Sequence, residues 1–202
     1  YTIDIFYKQI YTIISISHGR CIMNRLSCAF LGQRPSTFSF GFDEEHPKCQ
    51  RLKEKIREQI YALADNGVLT FLSGMSQGMA LWGAEIALEM QKINSRIKLI
   101  CILPCETQAN KWAPFTRERY FNVLSKSDDV FYISKRYQED CIQHCNRSLI
   151  DHSHFILAVY DGHSGGSIAQ SIQYALMSQK AVIVIHPETG KVIPFTVHQR
   201  PS

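Results

Sequence analysis

The 202-residue chain reads as an α/β domain of three layers, built on a mainly parallel sheet of about six strands. Three observations predict this. Short apolar runs alternate with amphipathic helical segments in a repeated βαβα order, which builds parallel sheets covered by helices. The run Phe155–Tyr160 is apolar throughout and stops at Asp161-Gly162, as a strand buried on both faces does. Two strands, here and at Val68–Leu72, lead through Gly-rich loops straight into helices.

Composition is that of an ordinary globular domain, with 45% hydrophobic and 20% charged residues. The net charge of +4 is too mild to argue for nucleic acid, and no basic block is present. No apolar run is long enough to span a bilayer. The seven cysteines are odd in number and several lie in apolar segments, which suggests free thiols in a reducing, cytoplasmic setting. Cys101/Cys105 and Cys141/Cys145 invite a zinc reading. Cys101 lies in an expected strand, however, and the second pair is spaced i, i+4 on an expected helix, so no metal is assigned.

Residues 1–22 mix Ile, Tyr and Ser without a clear period and read as an extension outside the fold; a rival reading makes Tyr11–Ile16 an edge strand. The domain then covers residues 23–190 and a tail covers 191–202. Cys28–Leu31 is the first strand, ending at Gly32, with Gln33–Thr37 as the loop at its C-terminal end. Arg34 in that loop can meet a phosphate or carboxylate in fork geometry. Pro47 opens a helix to about Ala64, whose apolar face is Ile56, Ile60 and Leu63; Asn66-Gly67 closes it. Val68–Leu72 is the second strand. Ser73, Gly74, Met75 and Gly78 belong to the Gly loop that opens the next helix, Ala80 to about Ile93, in which Gly83 allows close packing.

Lys98–Leu103 is the third strand, followed by a long loop containing Gln108 and Trp112. A loop Trp can stack on a base or pack on the domain. Phe115–Ser125 is a helix, Val130–Ile133 the fourth strand and Tyr137–Ile150 the next helix. The fifth strand leads into Asp161, Gly162, Gly165, Gly166 and Ser167, then a helix to Ser178 and a sixth strand, Ala181–Ile185. Beyond His186 the chain reads as an edge turn or an end. A helix N-terminus has unpaired N–H groups and partial positive charge, and adjacent glycines let that backbone approach an anion. In a parallel sheet both Gly loops lie on the edge formed by strand C-termini, where ligands bind.

Gly74-Met75-Ser76-Gln77-Gly78 also satisfies G-x-S-x-G, the nucleophile-elbow pattern, with Asp161 and His186 downstream in the right order for a Ser hydrolase. Against that reading, too few strands precede the elbow, and a second Gly loop has no role in the mechanism.

Five segments, in order, resemble one family. Phe30–Pro35 is similar to a TGHRP signature; Leu72–Gly78 with Trp82 and Ala84-Glu85 to SGMAxGxDxWAAE; Gln108, Trp112, Arg119 and Tyr120 to a QxxxW…RY loop. Asn146-Arg147 with Asp151-His152-Ser153 resembles RNRxxVDxS, and Ala158–Gly162 through Gly165-Gly166-Ser167 resembles AVYDGxxGGT. These are motifs of the YpsA-like proteins of the SLOG superfamily. The resemblance implies a Rossmann-like fold and a ligand that is a nucleotide or derived from one, such as an ADP-ribose-like molecule, in a sensor or regulatory module. It implies no defined reaction and no certain cofactor. Departures are Gln33 for His, Ala80 for Asp and Cys145 for Arg.

On this reading the backbone at Gly74–Gly78 and Gly165–Ser167 holds phosphate, beside Gly32 and Arg34. Trp112 or Trp82 covers the base, and Glu85 or Asp151 reads the sugar. The LOG phosphoribohydrolases of the superfamily use PGGxGTxxE, with a Glu serving N-glycosidic hydrolysis. Here that position is Gln170, which cannot transfer a proton. DprA-like members bind single-stranded DNA, for which Lys111, Trp112, Arg117 and Arg119 would form only a small basic patch. A small nucleotide-like partner is therefore expected, with nucleic acid disfavoured, no membrane, and a homo-oligomer allowed. With Met23 read as the functional start, a chain beginning there is expected to melt at the temperature of the full chain; a large loss of stability on removing residues 1–22 would refute this.

Overall fold

The computed structural model describes residues 26–163 and 165–195. Residues 1–25 lie outside them, so the expectations for Met23 and Tyr11–Ile16 do too. Six parallel strands run in chain order: β1 Leu26–Gly32, β2 Val68–Ser73, β3 Lys98–Cys105, β4 Asp129–Ser134, β5 Phe155–Val159 and β6 Ala181–Ile185. The helices between them are α1 Pro47–Asp65, α2 Met79–Ile93, α3 Pro114–Leu124, α4 Cys141–Asp151 and α5 Ser167–Met177. A seventh strand, β7 Val192–Phe195, folds back antiparallel on β6. The spatial order is β4-β3-β2-β1-β5-β6-β7. This is the three-layer α/β fold that the strand and helix alternation predicts, in the Rossmann-like form that the resemblance implies.

From β1 the chain grows outward to β4, then crosses back to β5 on the other side of β1 and grows the opposite way. Right-handed crossovers then place α1, α2 and α3 on one face and α4 and α5 on the other. The core divides accordingly. Cys28, Phe30, Phe71, Leu157 and Val159 pack with Ile56, Ile60 and Met79 of the first helical layer. Their strand neighbours Ala29, Leu31, Leu72, Ile156 and Ala158 pack with Leu149, Ile168 and Ile172 of the second. Burial on both faces is why β5 and β6 read as unbroken apolar runs.

Two boundaries differ from the sequence reading. The helix expected from Tyr137 starts at Cys141: residues 138–140 form a turn closed by Cys141 N–H on the Gln138 carbonyl (3.2 Å), with Asp140 at the N-cap. The residues after His186 form a hairpin turn, in which His186 N–H donates to Lys191 O (2.9 Å), and the chain continues as β7. Glu188 in that turn accepts from Ser39 N–H (2.8 Å), Ser39 Oγ (2.6 Å) and Lys48 Nζ (2.7 Å), tying the hairpin to the start of α1.

Six cysteines of the described residues are buried free thiols. Burial pushes the thiols of Cys101 and Cys145 up to about 12, which leaves them protonated and unreactive. Among the described residues no helix is long and apolar enough to cross a membrane.

Gly83 faces the ring of Phe30, which stacks on Phe71 with centroids 5.6 Å apart. A Cβ at Gly83 would lie 2.8–2.9 Å from that ring. Gly83→Val is expected to cost about 1–3 kcal/mol through overpacking, read as a lowered urea midpoint with an unchanged slope.

Candidate functional site

The reversal of strand order between β1 and β5 opens a crevice at their C-terminal ends, the usual ligand position in such sheets. Its floor is fastened from both sides. Past the end of β1, Gln33 N–H donates to Val159 O (3.1 Å). The buried Gln33 side chain donates from Nε2 to Asp161 Oδ2 (3.1 Å) and accepts from Asp161 N–H at Oε1 (2.8 Å). Asp161 Oδ1 also accepts from His163 N–H (2.9 Å). The Gln33 amide thus clamps the β1 and β5 loops together.

The β2–α2 loop is stiffened locally. Ser73 Oγ donates to Ala80 O (2.8 Å) and accepts from Met75 N–H (3.0 Å). Met75 is fully buried at φ +55°. Gly78 caps α2 at φ +88°, and a Cβ there would meet Pro35 at 2.9 Å, so this position requires glycine on two counts. A Cβ at Gly32 would lie 2.5 Å from Met79 Cβ, so the end of β1 also touches the first turn of α2. Gln108 Nε2 donates to Gly74 O (3.0 Å), and Trp112 packs edge-on against Tyr120 (centroids 5.2 Å), which seats the β3–α3 loop beside the Gly74 loop.

A cleft of about 760 Å³ results. Gly32, Arg34 and Ser36 line it from the first loop, and Gly74, Ser76 and Gln77 from the second. Cys105, Gln108 and Trp112 form one wall; Tyr137, Glu139, Gln143 and Asn146 form another; Ser167 and Gln170 close it at α5. Among the described residues of this lining Arg34 and Glu139 are the only charged ones, and amides and hydroxyls supply most of the other polar groups. Gly166 caps α5 at φ +92°, and a Cβ at Gly165 or Gly166 would meet nothing within 4 Å, so this helix N-terminus faces open space.

Of the site residues expected from sequence, the cleft therefore brings together Gly32, Arg34, Gly74, Gln108, Trp112, Asn146 and Ser167 in its lining. Ser73, Met75 and Gly78 shape the second loop from beneath, and Asp161, Gly162, Gly165 and Gly166 lie on the β5–α5 loop above α5. Asn146 Nδ2 donates to Ser171 Oγ (3.1 Å), which donates to Ser167 O (2.7 Å), joining the α4 wall to α5.

Trp82, Glu85 and Arg119 are placed elsewhere, in an ionic brace between α2, α3 and the residues before α1. Arg119 forks onto Glu85 (Nε to Oε1 2.8 Å, Nη2 to Oε2 2.7 Å) and reaches Glu44 Oε1 through Nη1 (2.8 Å). Trp82 Nε1 donates to the same Glu44 oxygen (2.8 Å), and Lys53 pairs with the other. Burial works against the Glu44 charge, but the bonds from Arg119, Lys53 and Trp82 outweigh it and hold the carboxyl below its usual range. Arg147 lies over the Tyr174 ring (5.5 Å). Asp151 accepts from Tyr174 OH (2.8 Å) at the far end of α4, on the opposite sheet edge from the cleft.

The elbow reading finds no triad geometry. The positive φ falls on Met75 rather than Ser76. His186 Nδ1 accepts from Glu188 N–H (3.2 Å), and no hydrogen bond among the described residues joins it to Asp161 or Ser76.

Sequence reasoning did not single out Phe42, Tyr137, Glu139 or Gln143 as lining. Ile142, Gln143, Asn146 and Leu149 follow i, i+3/i+4 spacing, so a helical projection of α4 around Asn146 would have found Gln143. The loop residues carry no such signal.

Comparison with known proteins gives a family model described as the YspA SLOG family, designated YpsA, matching residues 28–188. The chain is 29% identical over 141 residues to a UPF0398 protein of Halalkalibacterium halodurans, covering 69% of this chain and 75% of that protein. It is 32% identical over 142 residues to UPF0398 proteins of Bacillus thuringiensis strain Al Hakam and Bacillus cereus strain AH187, covering 69% of this chain and 76% of each.

The Arg119→Ala substitution is expected to strand Glu85, to leave Glu44 with Lys53 and Trp82 alone, and to cost about 2–4 kcal/mol at pH 7, measured by urea unfolding. Glu44 has a depressed folded pKa, so its contribution is fully present above the unfolded carboxylate pKa and is lost as pH falls through the folded value. The Arg119→Ala deficit should therefore shrink on acidification.

Proposed function

The chain belongs to the YpsA family of SLOG proteins, and from that premise we propose that it binds a nucleotide or nucleotide-derived ligand in the switch-point cleft, as a sensor or regulatory module. The observation that carries this reading is the convergence of two Gly-containing loops, each opening a helix, with Arg34 in one cleft. Backbone N–H groups at the start of α5 face open space and suit a phosphate, with Arg34 adding charge. Trp112 is the Trp in the lining and offers a face for a base, whereas Trp82 is committed to Glu44. Sugar hydroxyls are served best by Glu139, Gln143 and Asn146, since Glu85 and Asp151 are bonded away from the cleft.

Gln170 lines the cleft at the position where the superfamily's hydrolases place a Glu. An amide can orient a ligand but cannot donate a proton in catalysis, which favours recognition over N-glycosidic hydrolysis. One Arg and one Glu in the lining make a poor electrostatic groove for single-stranded DNA, which favours a small ligand. We read the compartment as the reducing cytoplasm, on the strength of the buried free thiols.

Titration of mononucleotides, dinucleotides and ADP-ribose derivatives against thermal unfolding tests the proposal. A true ligand at a hundredfold its Kd should stabilise the fold by about 2.7 kcal/mol and raise the melting point by several degrees. The Gly166→Asp substitution, which sets a carboxylate in the anion position, should abolish that shift. Absence of any shift at saturating concentration would overturn the proposal, and an unchanged shift in Gly166→Asp would move the phosphate position away from α5.

A further inference from the structure

Strand β4 ends the sheet, pairing with β3 alone among the described residues. Terminal strands are normally blunted by inward charge, proline or a bulge, because their free backbone groups template further pairing. Between Val130 and Ser134, β4 has none of these. Instead Phe131 is 55% exposed, Tyr132 47% and Ile133 39%. Asp128 N–H donates to Leu99 O (2.9 Å). Leu99 therefore faces β4, and with Cys101 paired to Val130 and Leu103 to Tyr132 the backbone groups of Asp129, Phe131 and Ile133 serve β3. Every second residue of a parallel ladder serves the same neighbour, so Val130, Tyr132 and Ser134 turn theirs outward. The side chains of Asp129, Phe131 and Ile133 share one face, that of Ile102, which pairs with Phe131.

The ends of the strand carry opposite charge: Asp129 opens it, and Lys135, the next position in the same alternation, follows it. Neither makes an ion pair with another described residue. The geometry points to a second copy of this chain as the occupant of this edge, joined by antiparallel β4–β4 pairing about a two-fold axis through Tyr132. In that register Asp129 lies opposite Lys135 of the second copy, and Phe131 lies opposite its Ile133. The axis repeats both contacts. The outward-facing backbone residues then meet one another. Parallel pairing would set Asp against Asp and Lys against Lys, so the charge order selects the antiparallel, self-complementary arrangement. The sheets of the two chains become continuous.

Sedimentation equilibrium of the full chain at low salt is expected to give a species of twice the 23.2 kDa chain mass. Asp129→Lys or Lys135→Asp alone replaces two attractions with two repulsions and should weaken the dimer by about tenfold or more. The combined Asp129→Lys/Lys135→Asp variant should recover to within a few-fold of the wild type. Ile133→Lys should be monomeric with an unchanged melting profile for the monomer, since this side chain is partly solvated at the edge. A wild-type monomer at sub-millimolar concentration would overturn the inference. So would a dimer indifferent to Ile133→Lys, or single charge reversals that the combined variant does not rescue.

Discussion

The clamp between Gln33 and Asp161 holds the point on which the rest of the architecture turns. Strands grow outward from β1 in one direction to β4 and from β5 in the other, so the loops leaving β1 and β5 must diverge to opposite faces of the sheet. Divergence opens the crevice, and without a tie across it the two loops would be free to splay. The paired amide and carboxylate, with Gln33 N–H on Val159, extend the β1–β5 contact beyond the strands. The cleft is thereby set by backbone geometry before any lining side chain is considered. A neutral Gln in this place also makes the clamp independent of its own protonation, which an imidazole would not be.

Residues that form a family signature do two different jobs here. Some line the cleft. Others, Trp82, Glu85 and Arg119, gather around Glu44 and hold residues 38–46 against α2 and α3. Because Phe42 of that segment lines the cleft, the brace fixes one wall without touching its contents. The distinction matters for reading substitutions: loss at Arg119 loosens a wall, whereas loss at Arg34 removes a charge from the cavity.

The strands, their parallel order and both Gly loops were legible in the sequence, because burial on both faces writes itself as unbroken apolar runs and because tight strand-to-helix turns demand glycine. The start of α4 was not legible. Gln138-Glu139-Asp140 are acceptable in a helix, yet Tyr137 and Glu139 lie at the cleft wall and Asp140 occupies the N-cap. Nor was β7: a short strand containing Pro194 has weak local preference and exists because β6 offers an open edge.

What the sequence determined by itself is the layer architecture, the burial of the thiols and the family, all of which follow from local pattern and residue identity. Only the tertiary structure decided which motif residues face the cleft. Trp82 and Glu85 lie three apart and share a helix face, but the rotation of α2 about its own axis, set by Gly83 against Phe30 and by Met79 against Gly32, turns that face toward Glu44 and Arg119. Rotation of a packed helix is a property of the contacts it makes across the sheet. The same reason applies to β4, whose apolar residues read as ordinary strand and became exposed because the chain turned back across the sheet after it.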